Sequence, residues 1–102
     1  MKTIVRDQAQ ALYNNFHFAE AVERDGFIFC SGIIGTGSDG KVADDIREEF
    51  RAAWSGVVSL LEHAGVGPEN IVEYTTYHVG LQSHMGDFMA VRDEFLSEPW
   101  PA

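Results

Sequence analysis

Positive charge is scarce in this chain. Seven Lys and Arg residues stand against 16 Asp and Glu, which leaves a net charge of −9 over 102 residues. Binding nucleic acid requires a basic face to neutralise phosphates, so no nucleic-acid partner is expected. The same deficit disfavours docking on an anionic membrane. Cysteine is nearly absent: Cys30 stands alone, so no intrachain disulfide can form. Lying within an apolar run, it reads as a small core residue and not as a nucleophile. No apolar run approaches the roughly 18 residues of a membrane span. The first ten residues, MKTIVRDQAQ, lack the apolar centre of a signal peptide. The expected location is therefore the cytoplasm, with the surplus acid serving solubility.

What the chain does have is ordinary for a folded domain: 45% hydrophobic and 23% charged residues. Its length predicts one domain, large enough to bury roughly 60–70% of its unfolded surface. The stretch Gly26–Gly35, GFIFCSGIIG, organises the rest. Phe27 to Cys30 form a short continuous apolar run, which predicts a strand buried on both faces. Ser31-Gly32 then places a hydroxyl and a bare backbone at the edge of an apolar floor, where a small-molecule pocket often sits. Phe18–Arg24 predicts the preceding strand, and Asp25-Gly26 between them predicts a tight hairpin turn. Lys2–Val5 reads as a further short strand, and Asp7–Asn15 as a polar segment broken at Asn14-Asn15.

Gly35–Gly40 is glycine-rich but lacks the Gly-Lys-Ser/Thr ending of a phosphate loop, so it reads as a flexible turn. Asp44–Ala64 is the strongest helix signal. Asp45 with Glu48 makes a capping-box-like start, and Ile46, Phe50, Ala53, Trp54, Val57, Leu61 and Ala64 recur on one face. Gly65, Gly67 and Pro68 stop it. Asn70–Val79 is dense in β-branched and aromatic residues and predicts a strand, with Tyr74 and Tyr77 on an exposed sheet face. That exposure suggests burial against another subunit. Ser83 or His84 opens a last helix with Met85, Phe88, Val91 and Phe95 inward, and Met85 and Met89 as core filler. His78 reads as a packed strand-end residue before it reads as an acid–base group. With His84 it supplies two histidines and no third ligand, so no metal site is expected. The element order predicts an α+β two-layer sandwich, two helices on one face of a mostly antiparallel sheet.

From Phe18 to Ala102 the chain resembles the Rid family of reactive-intermediate deaminases, the YjgF-like proteins. The resemblance rests on Phe18-x-x-Ala21-Val22, on Gly26–Gly32 with its Ser-Gly ending, and on Asp45-Ile46 opening a helix that holds Arg51 and Ala53. It continues through Leu61-Glu62-x-Ala64-Gly65, Ile71-Val72, Thr75-x-Tyr77, Asp87-Phe88-x-Ala90-Val91 and Pro99-x-Pro101-Ala102. It implies a chorismate-mutase-like fold and a homotrimer with clefts between subunits. Deaminating members hydrolyse enamines or imines to 2-keto acids and ammonia in those clefts, without metal or cofactor. By the resemblance, the substrate-binding positions are Phe18, Ser31, Gly32 and Ile33, with Arg92 as a candidate clamp for a substrate carboxylate.

The chain departs from the family pattern at several points. The family's tyrosine position holds Phe18, and its helix asparagine falls at Arg92. This sequence does not include the family's arginine, which follows Pro-Ala, or the glutamate of its final two strands. The expectation is one Rid-like domain over residues 1–102 lacking those last two strands, read as a piece of a longer protein in preference to a natural short form. No catalytic residue is assigned. Two functions stay open: an enamine/imine deaminase, and a non-catalytic trimeric module that binds a small acid or a partner in the same cleft. Ribonuclease activity, also attached to such proteins, is disfavoured by the net charge.

Overall fold

The computed structural model describes residues 1–102, which divide into two compact units, Met1–Ile33 and Ile34–Ala102. The first unit is a three-stranded antiparallel sheet of order β1-β2-β3, with β1 Lys2–Ile4, β2 Ala21–Arg24 and β3 Phe27–Cys30. Between β1 and β2 lies a short helix, α1, Gln10–Phe16. Asp25 and Gly26 both take positive φ, 54° and 82°, as a two-residue hairpin requires. Register follows from that turn: Arg24 faces Phe27, and Ala21 faces Cys30.

Two expectations fail here. The segment expected to break at Asn14-Asn15 is helical through both, and the helix ends one residue after Phe16, where His17 adopts the left-handed conformation. The Gln10 side-chain amide donates to Asn14 Oδ1 at 3.1 Å, so the two polar residues support one turn of helix instead of ending it. The other failure concerns β3, which is an edge strand and not a doubly covered one. Phe27 and Phe29 are each 60% exposed, and Cys30 is also exposed. An uninterrupted apolar run predicts cover on both faces, but it cannot say whether that cover comes from the same chain.

A tight bidentate pair ties the first unit together. Arg6 donates through Nε and Nη2 to the Glu20 carboxylate at 2.6–3.1 Å, and its backbone N–H reaches Glu20 Oε1 at 2.8 Å. Both side chains are largely shielded from solvent. Glu20 holds the Arg6 guanidinium above its ordinary pKa.

The second unit carries the long helix α2, Ile46–His63, and α3, Met85–Phe95. Asp45 caps α2 as its spacing predicts, accepting from the backbone N–H of Arg47 at 2.8 Å and of Glu48 at 3.3 Å. A Schellman pair ends the helix: Gly65 N–H donates to Glu62 O and Val66 N–H to Leu61 O. The apolar stripe of α2 meets α3 in a core of Phe50, Trp54, Phe88, Val91 and Leu96. Aromatic rings meet there mainly edge to face, with Phe50 against Phe88 at 5.4 Å and Trp54 against Tyr74 at 5.1 Å. Tyr74 therefore belongs to this core, while Tyr77 is 93% exposed. Met85 and Met89 are exposed and do not fill it, because the inner face of α3 is occupied by Phe88 and Val91.

Ion pairs on the outer side link the two helices. Arg47 donates to Asp87 at 2.6 Å and Arg51 to Glu94 at 2.8–3.2 Å, and Arg51 also pairs with Glu48. The Gly35–Gly40 segment is a closed turn, with Gly37 N–H on Lys41 O, Gly40 N–H on Gly37 O and Lys41 N–H on Asp39 Oδ1. Those amides are spoken for, so the loop offers no phosphate cradle. Gly35 itself sits where an added Cβ would come within 2.6 Å of Glu49 O, a backbone approach that only glycine permits.

The strand predicted over Asn70–Val79 does not form a ladder. After a short 3-10 turn at Pro68–Asn70, closed by Asn70 N–H on Gly67 O and Ile71 N–H on Pro68 O, the segment's backbone pairs with Ala102. Ala102 N–H donates to Val72 O, and Tyr74 N–H donates to Ala102 O, both at 2.9 Å. This is the bonding of one parallel rung. The β-branched and aromatic composition predicts a strand, but a strand is defined by its neighbours, and one residue supplies one rung.

Candidate functional site

Phe18, Ser31, Gly32 and Ile33 belong to the first unit, and Arg92 to the second. The four in the first unit surround the end of β3. Ser31 is fixed twice by the two residues that lead into β2: its N–H donates to Glu20 O at 2.9 Å and its Oγ donates to Ala19 O at 2.7 Å. The hydroxyl proton is thereby committed, and what remains on Oγ is lone-pair capacity to accept. No base activates it, so it is a positioning group and not a nucleophile. Gly32 is exposed, with no atom within 4 Å of an added Cβ, so a bare stretch of backbone faces open space. Phe18, next in the chain to Ala19, whose carbonyl Ser31 bonds, is 47% exposed and carries an aromatic ring without a hydroxyl.

Cys30 immediately precedes this corner. Partial withdrawal from water pushes its thiol pKa up, which leaves little thiolate at neutral pH. The expected core position is not found: Cys30 lies at the surface, on an edge strand.

Arg92 stands in the last turn of α3 and lines a cleft of about 270 Å³ with Tyr74, Leu96, Trp100 and Pro101. Its Nε donates to Asp93 Oδ1 at 2.9 Å. Asp93 first, and then the Tyr74 hydroxyl, hold the guanidinium charged more firmly than usual. The side chain is about one-quarter exposed, neither free in solvent nor sealed. Tyr74 is set by its edge contact with Trp54 and by its backbone bond to Ala102. Sequence reasoning placed Tyr74 on an open sheet face and gave Trp100 no role. A usable signal was the indole between two prolines, Pro99-Trp100-Pro101, a bulky aromatic on a stiff segment.

His78 packs edge-on against Phe88 at 4.7 Å and Phe50 at 5.5 Å, and its Nε2 is buried without a hydrogen-bond partner. This is the packed histidine that the sequence suggested. No group of three or more His, Cys, Asp or Glu side chains is placed to hold a metal ion. No helix is long and apolar enough to cross a membrane.

The family model described as Endoribonuclease L-PSP matches residues 8–102. The chain belongs to this family, the YjgF/RutC/Rid proteins. Among curated relatives, the RutC family protein YjgH of Escherichia coli K12 is 27% identical over 89 residues, which are 87% of this chain and 68% of YjgH. A RutC family protein of Aquifex aeolicus is 39% identical over 61 residues, 59% of this chain and 49% of that one. This Rid-family chain thus spans about half to two-thirds of the length of these relatives.

Solved structures agree on the fold. The YjgH structure aligns with a TM-score of 0.86 at 24% identity, covering 99% of this chain and 78% of that one. RidA from an Antarctic Psychrobacter aligns at 0.69 with 20% identity, covering 83% and 69%. The fold is the α+β YjgF-like fold. To the two helices expected from the sequence it adds the short α1.

Proposed function

We propose that this Rid-family protein is a cofactor-independent enamine/imine deaminase of small amino-acid-derived acids, working as a cytoplasmic homotrimer with its clefts between subunits. Water adds to the C=N carbon of a 2-imino acid, and the resulting carbinolamine expels ammonia to leave the 2-keto acid. The observation that carries this reading is the end of β3. Ser31 is pinned by two bonds to Glu20 O and Ala19 O, so the open backbone at Gly32 is held ready for a ligand. Ile33 continues this edge, and Phe18 walls it with an aromatic face. Arg92 supplies the planar donor fork that a carboxylate prefers. The exposed Phe27 and Phe29 on edge strand β3 fit burial by a second copy of the chain.

The net charge of −9 weighs against the ribonuclease activity in the family's description. The second reading, a non-catalytic trimeric binding module, is favoured by one observation: Phe18 stands at the family's tyrosine position and lacks its hydroxyl.

The deciding assay mixes the full-length protein with freshly generated 2-iminopropionate and follows ammonia release. Catalysis predicts hydrolysis well above the buffer rate. A rate equal to buffer, in protein that still binds pyruvate, replaces the enzyme with the binding module.

A further inference from the structure

We infer that Arg6 is a positioning residue for the Ser31 corner: through Glu20 it holds in place the two carbonyls that fix Ser31. The inference rests on the reading of that corner as a ligand site, not on catalysis. All the residues concerned lie within Met1–Ile33.

Backbone pairing on the β1 side stops short of the corner. The β1–β2 ladder ends with Ile4 opposite Ala21, so Ala19 and Glu20 have no β1 residue across from them. Chain at the end of a ladder opens readily unless something else ties it. Here Arg6, two residues past Ile4, takes over with its side chain. Its backbone N–H, Nε and Nη2 all donate to the Glu20 carboxylate, at 2.6–3.1 Å. Ser31 grips the same two residues from the other side, with its N–H on Glu20 O at 2.9 Å and its Oγ on Ala19 O at 2.7 Å. Ala19-Glu20 is thus clamped between Arg6 and Ser31.

The form of the contact suits this role. A shielded ion pair adds little stability that well-packed apolar residues could not match. What it adds is direction: a planar guanidinium bonded through two nitrogens fixes both the distance and the plane of the carboxylate. Direction matters at Ser31 because its hydroxyl proton goes to Ala19 O, which leaves Oγ to act as an acceptor toward a ligand. Were Ala19 O to drift, that proton would be released, and the hydroxyl would present a donor instead. Phe18 directly precedes Ala19, so the same clamp sets where its ring departs from the backbone.

The test uses the full-length protein and its Arg6→Ala, Arg6→Lys, Glu20→Gln and Ser31→Ala variants. Asp45→Ala, which loosens the start of α2 in the other unit, is the control for stability lost elsewhere. Amide hydrogen exchange reads the Ser31 N–H, and isothermal titration reads pyruvate binding. Arg6→Ala should speed Ser31 exchange about tenfold relative to the amides of α2 and α3. It should weaken pyruvate about three- to tenfold, the fold-change that one hydrogen bond is worth. Arg6→Lys keeps the charge without the fork and should follow Arg6→Ala. Glu20→Gln keeps an oxygen for the Arg6 backbone N–H and one guanidinium N–H, so it should recover part of both losses. Asp45→Ala should leave pyruvate binding unchanged. If Arg6→Ala does not fold, Arg6→Lys and Glu20→Gln carry the comparison. Unaltered Ser31 exchange in the Arg6 variants overturns the inference, as does equal weakening of pyruvate by Asp45→Ala. Pyruvate binding that Ser31→Ala weakens and the Arg6 variants leave intact overturns the inference and leaves the ligand site standing. Absence of pyruvate binding, or binding indifferent to Ser31→Ala, overturns the ligand site itself, and the inference falls with it.

Discussion

Met1–Ile33 buries three apolar side chains, Ile4, Ala9 and Ala21, whereas Ile34–Ala102 buries seven: Phe50, Trp54, Leu60, Leu61, Phe88, Val91 and Leu96. The aromatic residues divide the same way. In the second unit Phe50, Trp54 and Phe88 interlock with Tyr74 and Phe95. In the first, Phe16, Phe18, Phe27 and Phe29 stand 47–68% exposed. The second unit holds its own core. The first is shaped by backbone bonds, a tight turn and the Arg6–Glu20 fork, and leaves its apolar faces outward. Those faces adjoin Ser31 and Gly32, so the region richest in candidate site residues is also the one whose apolar surface is not yet buried.

Truncating one aromatic in each unit gives the sharpest contrast. Trp54→Ala should cost about 3–5 kcal/mol, the usual loss for a buried large side chain, in chemical denaturation monitored by circular dichroism. Phe29→Ala should cost under about 1 kcal/mol in dilute protein, because the ring is mostly in water already. A Phe29→Ala loss that matches Trp54→Ala and grows with protein concentration would break the contrast. It would show that another copy covers β3 in solution.

The first unit's alternative support is tested by Arg6→Ala. The pair is more shielded than a surface salt bridge and less than a fully buried one, so the expected loss is about 2 kcal/mol. Proteolysis within residues 1–33 should accelerate more than proteolysis within α2 or α3. Equal acceleration in both regions would mean that the fork stabilises the whole chain and not the first unit in particular. A smaller effect is expected in the second unit from Asp45→Ala. The carboxylate satisfies two N–H groups at the start of α2, and its loss should cost about 1 kcal/mol in the same denaturation experiment.

The same division explains what could be read from the sequence. The second unit was legible where the information is local: the Asp45 cap, the spacing of Phe50, Trp54 and Leu61, and the stop at Gly65 each depend on residues within a turn or two. The Asp25-Gly26 hairpin was legible for the same reason. Tertiary pairing was not. Asn70–Val79 has strand composition, but a ladder needs a neighbour, and composition does not say whether one is present. Phe27–Cys30 reads as buried because side-chain character reports a preference for cover and not its source. At the candidate site, Ser31 and Arg92 could be named from the sequence. Tyr74 and Trp100 became site residues only when a contact more than twenty residues long brought the chain end beside Tyr74.

The smallest expected effect lies on the solvent side of the helix pair and is read through pH. Arg51 first, and Arg47 more weakly, hold Glu94 below the usual carboxylate range. Between the folded and unfolded pKa values the unfolded state binds the extra proton, so stability rises with pH there. The contribution is complete above the ordinary carboxylate range and disappears as pH falls through the lowered folded value. The pair is exposed, so salt and solvent keep the effect small. Wild type and Glu94→Gln should therefore differ in Tm at neutral pH and converge in acid, with the neutral-pH gap narrowing in high salt. A gap that persists below the folded value would mean that Glu94 stabilises the α2–α3 contact by packing. The ion pairs would then add nothing to a second unit held by its aromatic core alone.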